Sequence, residues 1–401
     1  MSLRYKPIIN SILDTDLYKL TMGMAVGKEY PREIVNYHFI NRGKTVFPEG
    51  FGSELINQIQ HMASLSLTDS EASFLTEKCG SFLDPYYIKT LKGFRFDPSQ
   101  VDVIQKDGDL RIEIIGPWIE TIYWEVPLMA LISELYFLME RYLIRTENKI
   151  ATDRIEILDR IVNKGKKLSN AGAKFADFGT RRRHSYNTHD IVVSGLCQKY
   201  SGNSCTGTSN VHFAQKYNTT PIGTQAHEWF MYHAAKYGYR MANQMALGRW
   251  VDVFGGQLGI ALTDTFTTKD FFHHFDLLYA QQFKGVRQDS GDPLVFMEKM
   301  IAHYNSLGID PSTKTIVFSD SLNVEKCLNI LEKANNRIMV SFGIGTNFTN
   351  DVGYKPLNMV IKLMNVKFQN RWIPTVKFSD DEGKVLGPET EIAYAKYALG
   401  L

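Results

Sequence analysis

The sequence predicts an α/β protein with a mixed α/β part at the N-terminus, a closed or nearly closed (β/α) barrel in the middle, and a tail that returns to the N-terminal part. Three observations predict it. From about residue 150, short apolar runs alternate with helix-patterned stretches, the pattern of parallel strands joined by helical crossovers. Seven of these runs, at 174–178, 206–210, 222–224, 258–262, 285–289, 315–318 and 338–342, end in polar or Gly-rich residues. From about residue 350 the pattern returns to strict alternation, at 359–366 and 372–378, with a hairpin signal at Asp380-Asp-Glu-Gly383. Seven strand-helix units within roughly 180 residues favour a barrel over an open doubly wound sheet.

The N-terminal part follows from its own patterns. Residues 11–24 read as a helix capped by Asp14 or Thr15, with Leu17, Leu20 and Met24 on the apolar face and Asp16 and Tyr18 free to face elsewhere. Residues 35–40 alternate like a strand and deliver Arg42 and Lys44 on either side of Gly43, which suits a phosphate as well as a solvated turn. The stretch 52–90 is helical. Residues 110–117 form a strand stopped by Gly116-Pro117, and 119–123 continue the sheet. The most apolar helix, 126–143, carries Glu134, Glu140 and Arg141, so it reads as a buried core helix and not as a membrane span. The expected segments are 1–145, 146–349 with the active site, and 350–401.

Composition narrows the function. With 401 residues, 44% of them hydrophobic, the chain can bury one large core or two ordinary ones. Lys and Arg number 45 against 43 Asp and Glu, a balance that gives no global pull toward nucleic acid or an anionic membrane. The one obvious basic cluster is Arg181-Arg-Arg-His184. Four cysteines without CxxC spacing read as reduced thiols, and with no apolar stretch of signal-peptide length at residues 1–6 the expected compartment is the cytoplasm.

In a (β/α) barrel the site is built at the C-terminal ends of the strands. Phe178, Arg181, Ser209, His227, Asp264, Arg287, Asp289 and Asp320 should therefore converge on one mouth. His227 opens a long apolar-periodic segment directly after Gly223-Thr224, which places it in the first turn of a helix. Unpaired N–H groups and the positive dipole end favour negative charge there, and they bias an imidazole toward its neutral, nucleophilic form. Taken singly, each residue also has a plain structural reading: a core histidine, a helix N-cap for Asp264, Asp289 or Asp320, a core aromatic for Phe178 or Tyr18. The same arrangement at seven successive strand ends argues against that reading for the whole set.

No P-loop, GxGxxG, HExxH or paired-Cys site is present. Phosphate cradles are supplied by Arg42 and Lys44, by Arg181 and Arg182, and by Gly343-Ile-Gly-Thr346. Asp289, Asp292 and Asp320 could hold Mg²⁺ or ribose hydroxyls. A polyanionic sugar phosphate together with an aromatic ring fits this inventory. A barrel aldolase or isomerase would need a Schiff-base Lys or a proton-abstracting carboxylate at a strand end, and no Lys occupies those positions.

Six segments carry a specific resemblance: Leu13-x-Thr-Asp-Leu-Tyr-Lys-Leu-Thr-Met22, Phe178-Gly-Thr-Arg-Arg182, Gly207-Thr-Ser-Asn210, Gly223-Thr-Gln-Ala-His-Glu228, Val286-Arg-Gln-Asp-Ser-Gly-Asp292 and Phe342-Gly-Ile-Gly-Thr-Asn347. In this order, nearly end to end, the chain resembles the bacterial nicotinate phosphoribosyltransferase family. The resemblance implies a type II phosphoribosyltransferase fold, with an α/β sandwich built from both termini around an irregular (β/α) barrel. It implies that nicotinate and 5-phosphoribosyl 1-diphosphate give nicotinate mononucleotide and diphosphate, with ATP consumed as co-substrate, Mg²⁺ required, and no dedicated protein metal site. By position, His227 matches the transiently phosphorylated histidine, with Asp264, or else Glu228, orienting it. Tyr18, Thr224 and Arg287 match nicotinate contacts and Phe178 its stacking platform. Thr346, with Gly343 and Gly345, matches the phosphate cradle, joined by Asp289, Ser290 and Gly291. Asp16 and Tyr18 typically reach a neighbouring subunit's site in this family, which suggests a homodimer.

The chemistry agrees with the residue types. The ring nitrogen of nicotinate is unprotonated at neutral pH, so the protein must align it and stabilise charge, not remove a proton. Arg181 and Arg287 suit its carboxylate through the bidentate guanidinium fork. Ser209 places no negative charge near that carboxylate, which favours nicotinate over nicotinamide.

Overall fold

The structure, a computed structural model, describes residues 5–143, 154–200, 204–381 and 384–401. The expected boundary at 145/146 and the last two residues of the Asp380–Gly383 hairpin signal lie outside the described residues. Eleven strands are described: β1 (Ile34–Ile40), β2 (Val101–Lys106), β3 (Asp109–Pro117), β4 (Lys174–Asp177), β5 (Cys205–Thr208), β6 (Ile260–Leu262), β7 (Gly285–Gln288), β8 (Thr315–Phe318), β9 (Met339–Ile344), β10 (Val360–Phe368) and β11 (Arg371–Pro374).

They form two sheets. The first runs β11-β10-β1-β3-β2 and is antiparallel throughout. β10, from the C-terminal tail, pairs with β1 from Ile34↔Lys367 to Ile40↔Val360, so the tail rejoins the N-terminal sheet beside its centre. The second runs β5-β4-β9-β8-β7-β6 and is parallel throughout.

The seventh expected barrel strand is reduced to one parallel bridge, Thr208↔Pro221, beyond β5. Gly207 permits this close approach: its φ is +145°, and a Cβ there would lie 2.0 Å from the Thr220 carbonyl oxygen. Between this segment and β6 the ring is spanned by side chains, with Thr224 Oγ1 and Gln225 Nε2 donating to the Ile260 carbonyl at 3.3 and 3.5 Å. The irregularity of the barrel sits there, next to His227.

Three local expectations change. The helix read over 11–24 with a cap at Asp14 or Thr15 runs Leu17–Glu29 with Asp16 at its N-cap, because Asp14 is tied to Arg183 and Asp16 bridges to Asn210, which holds the preceding turn open. Residues 119–123 do not continue the sheet. Once Pro117 closes the β3 ladder, Trp118–Thr121 turns into a short helix. The tail strand expected at 372–378 is shorter, ending at Pro374.

One continuous hydrophobic cluster reaches from Ile8 to Ala395 and joins both sheets, with Trp118, Trp124, Trp229 and Trp250 fully buried in it. Among the described residues no helix is long and apolar enough to cross a membrane. All four cysteines are free thiols, although Cys197 and Cys205 approach to 3.1 Å between sulfurs.

Candidate active site

A cavity of about 570 Å³ opens where the C-terminal ends of the parallel strands face β10 and the start of the Leu17–Glu29 helix. Phe178, Arg181 and Arg182 come from the turn after β4, and Ser209 from the end of β5. Gly223, Thr224 and His227 come from the irregular segment. Arg287 and Asp289 come from β7 and its end, and Gly345 and Thr346 from the turn after β9. Residues more than 100 positions apart are thus brought to one mouth, as parallel strand ends require. Asp264 and Asp320 do not line it.

His227 is the first residue of the helix His227–Tyr237 and is buried. Its Nδ1 lies 3.0 Å from Thr265 Oγ1, and its Nε2 lies 3.1 Å from Asp289 Oδ2 and 3.0 Å from Lys377 Nζ. Burial first, and Lys377 second, hold the imidazole pKa well below its ordinary value, so the ring is neutral at physiological pH. A neutral ring has one N–H and one lone pair. Nδ1–H donating to Thr265 leaves Nε2 as a base facing Lys377; the other tautomer donates Nε2–H to Asp289.

Asp289 is the carboxylate in contact with the ring. Asp264, expected in that role, has Oδ1 3.9 Å from Nε2 and lies behind the wall, accepting from Ser290 Oγ at 2.5 Å through Oδ2. Burial raises the Asp264 pKa to about 6 despite Lys377 nearby. Burial also opposes the ionised form of Asp289, but the His227 contact, Arg287 and Lys377 outweigh it and hold that pKa well below the carboxylate range.

Glu228, the alternative partner, turns away from the imidazole into a buried cluster. It accepts from Tyr37 Oη at 3.0 Å and Trp118 Nε1 at 3.2 Å, and it pairs with Lys19. Lys19 is fully buried and also pairs with Glu125 at 2.6 Å. Burial works against the Glu125 carboxylate, but Lys19, Lys362 and Arg181 together bring its pKa down to about 2. This cluster fixes the start of the His227 helix against the N-terminal elements.

Other expected residues divide into wall and support. Asp16 and Tyr18 line the cavity of their own chain: Asp16 Oδ1 accepts from Ser209 Oγ at 2.7 Å, and Tyr18 Oη donates to Glu125 at 3.3 Å. Both side chains make these contacts within one chain. Gly343 does not line the cavity. A Cβ there would lie 2.3 Å from Phe178 Cδ2, so this glycine makes room for the Phe178 ring while Gly345 and Thr346 face the cavity.

Ser290 and Gly291 are likewise engaged elsewhere, Ser290 with Asp264 and the Gly291 N–H with Asp381 Oδ1 at 3.2 Å. Asp292 is an N-cap, accepting from Leu294 N and Val295 N at 2.8 and 2.9 Å. Asp320 pairs with Lys384 at 2.7 Å. Of the arginine run, Arg181 and Arg182 face the cavity; Arg183 is buried in a two-bond pair with Asp14 at 2.7 and 2.8 Å. Burial, then Arg181 and Arg42, lower the Arg182 pKa to about 10, which marks Arg42 as a third cation of this corner although it does not line the wall. Lys44 is exposed, with a left-handed φ of 50°.

Four functional positions were not legible beforehand. Lys362 on β10 lines the cavity, with its pKa lowered to about 8 by burial, and Lys377 touches His227. Thr265 holds Nδ1, and Glu125 lines the wall. The available signal was two lysines inside apolar alternation, at Val360-Ile-Lys-Leu363 and Thr375-Val-Lys-Phe378.

Among the described residues no group of three or more His, Cys, Asp or Glu is placed to hold a metal. Asp289, a wall carboxylate held ionised beside the cavity's cations, fits a Mg²⁺ that arrives on phosphate oxygens and keeps most of its ligands from substrate and water.

A parallel-strand mouth closed by an antiparallel sheet, lined with Arg181, Arg182, Arg287 and Lys362 and a neutral histidine, defines an α/β enzyme built for phosphorylated anionic substrates. Comparison with known proteins makes this particular. The profile of the nicotinate phosphoribosyltransferase (NAPRTase) N-terminal domain matches residues 13–133, and that of the NAPRTase family matches residues 173–396. The chain is 49% identical to nicotinate phosphoribosyltransferase of Chromohalobacter salexigens over 395 residues, covering 98% of this chain and 99% of that protein. It is 47% identical to that of Desulforapulum autotrophicum, covering 96% and 98%. The crystal structure of nicotinate phosphoribosyltransferase from Porphyromonas gingivalis superposes with a TM-score of 0.93 at 43% identity, covering 98% of this chain and all of that one. The chain belongs to the nicotinate phosphoribosyltransferase family and is an enzyme of NAD biosynthesis.

Proposed function

We propose that the enzyme couples ATP to the synthesis of nicotinate mononucleotide from nicotinate and 5-phosphoribosyl 1-diphosphate through a transient phosphohistidine at His227. The observation that supports this is the neutral imidazole at a helix start, with one ring nitrogen held by Thr265 and the other beside Asp289 and Lys377. With the proton on Nδ1, the Nε2 lone pair attacks the γ-phosphorus of ATP; the Pγ–O bond breaks and its electron pair leaves with ADP. Lys377 and the helix N–H groups stabilise the added negative charge. Water later cleaves the N–P bond, returning His227 and releasing phosphate.

In the phosphoribosyl step the ring nitrogen of nicotinate attacks the anomeric carbon and diphosphate leaves. Phe178 and Tyr18 hold the ring, Arg181 and Arg287 its carboxylate, and Thr224 borders it; Asp16 and Ser209 close that end of the pocket. Arg182 and Lys362, with Arg42 behind, neutralise phosphate, and Gly345 and Thr346 offer backbone N–H groups. Bound Mg²⁺ would supply charge neutralisation on the leaving diphosphate. Ser209 adds no charge of its own at that end, which favours nicotinate over nicotinamide. The division 1–145, 146–349 and 350–401 follows the two sheets, and the free thiols suit the cytoplasm.

The test is incubation with γ-labelled ATP and Mg²⁺, with and without nicotinate and phosphoribosyl diphosphate, for wild type and His227→Ala. Acid-labile label on the wild type alone, with nicotinate mononucleotide formed, supports the proposal. Product formation without label would remove the phosphohistidine.

A further inference from the structure

Behind the cavity wall, where β4 and β5 end, the fully buried Asp177 collects four donors. Its Oδ1 accepts from the Gly179 N–H at 2.9 Å, and its Oδ2 accepts from Thr208 Oγ1 and from His189 Nε2, both at 2.6 Å. Its backbone carbonyl accepts from the Ser209 N–H at 2.7 Å. Neither Asp177 nor His189 lines the cavity, but the residues they hold do: Phe178 sits between Asp177 and Gly179, and Ser209 follows Thr208. One carboxylate therefore joins the turn carrying the ring platform to the adjacent strand end carrying Ser209.

His189 shows that this arrangement is more than packing. It lies in the helix Tyr186–Ser194, is fully buried, and meets Phe213 edge-on with ring centroids 4.6 Å apart. Its Nδ1 is buried with no hydrogen-bond partner. A polar ring with one nitrogen unused in the core is a net cost as filler, because a buried polar atom without a partner forfeits its hydration. Its benefit lies in the other nitrogen: Nε2–H donates to Asp177 from a ring that packing keeps from rotating.

We infer that Asp177, oriented by His189 and Thr208, is a positioning residue that fixes the gap between Phe178 and Ser209 and thereby the binding of the pyridine ring. The inference rests on the proposed reading of Phe178 as the ring platform. Rigid spacing of two walls matters because a displacement of the order of 1 Å at a binding site carries a large cost in productive alignment.

The experiment measures kcat and both KM values for wild type, Phe178→Ala, His189→Leu, His189→Gln and Thr208→Val, with melting curves for each. Leu removes the donor, whereas Gln returns an N–H toward Asp177. His189→Leu is expected to raise the nicotinate KM about tenfold while kcat and the phosphoribosyl diphosphate KM stay within about twofold, and His189→Gln is expected to recover most of the change. Thr208→Val, which removes the second donor to the same oxygen, should move the nicotinate KM in the same direction and carries the test if His189→Leu does not fold. An unchanged nicotinate KM in the folded variants overturns the inference. So does a fall in kcat with both KM values constant, which is what loss of folded enzyme alone produces. If Phe178→Ala leaves the nicotinate KM unchanged, it is the platform reading that fails.

Discussion

Asp289 Oδ2 lies 3.1 Å from His227 Nε2, joining a carboxylate at the end of β7 to an imidazole at a helix start. The second Asp289 oxygen accepts from Ser319 Oγ at 2.8 Å, so the carboxylate is fixed at both ends. Asp264 stands farther off and is turned toward Ser290. Asp289→Asn is therefore expected to lower ATP-coupled turnover about 100-fold, and Asp264→Asn by no more than about tenfold, in steady-state rates with labelling of His227 as the second readout. Equal losses in the two variants would return the orienting role to Asp264.

Lys362 gives the pH dependence. Its pKa is lowered to about 8, so it is charged below that pH and neutral above it. Anionic substrates favour the charged form, and kcat/KM should fall as pH rises through about 8, the free-enzyme value. In kcat the limb moves to higher pH, because bound phosphate restores the charge. Lys362→Arg keeps a charge throughout and should remove the alkaline limb; a limb that survives in that variant would assign it to another group.

Lys19 is a stability residue. It is fully buried between Glu125 and Glu228, and Lys19→Met leaves Glu228 without its cation and Glu125 with only the more distant Arg181 and Lys362. The expected loss is about 3–5 kcal/mol in urea unfolding at neutral pH, as for other buried pairs broken on one side. A loss below about 1 kcal/mol, the level of a surface pair, would mean that Tyr37, Trp118 and Lys362 suffice to hold the cluster.

Gly343→Ala tests the ring platform by adding one methyl group. With only 2.3 Å available to Phe178 Cδ2, the ring must move toward the cavity. Nicotinate KM should rise about tenfold with a smaller change for phosphoribosyl diphosphate, measured by steady-state kinetics. Equal weakening of both substrates would place the displaced atoms nearer the phosphate cradle.

The relation of Asp177 to Phe178 and Ser209 supplements these tests, because it acts on the same platform from behind. Gly343 sets how far the ring can recede, and Asp177 sets where its turn begins.

The sequence by itself determined the α/β class, the strand ends, the place of His227 in a first helical turn and the family segments. These are local: periods of two and 3.6, caps and glycines act over a few residues and can be read without knowing the partner. What only the tertiary structure decided was partnership. His227 meets Asp289 from 62 residues away and Lys377 from 150, and no local pattern encodes which of several strand-end carboxylates lies within reach. The same holds for residues 11–16, where the buried Arg183–Asp14 pair and the Asp16 bridge to Asn210 override a helical pattern, and for Glu228, drawn from the imidazole by Lys19. A buried charge must find its counter-charge wherever the fold places it, so the fold, and not the order of residues, chose the company of His227.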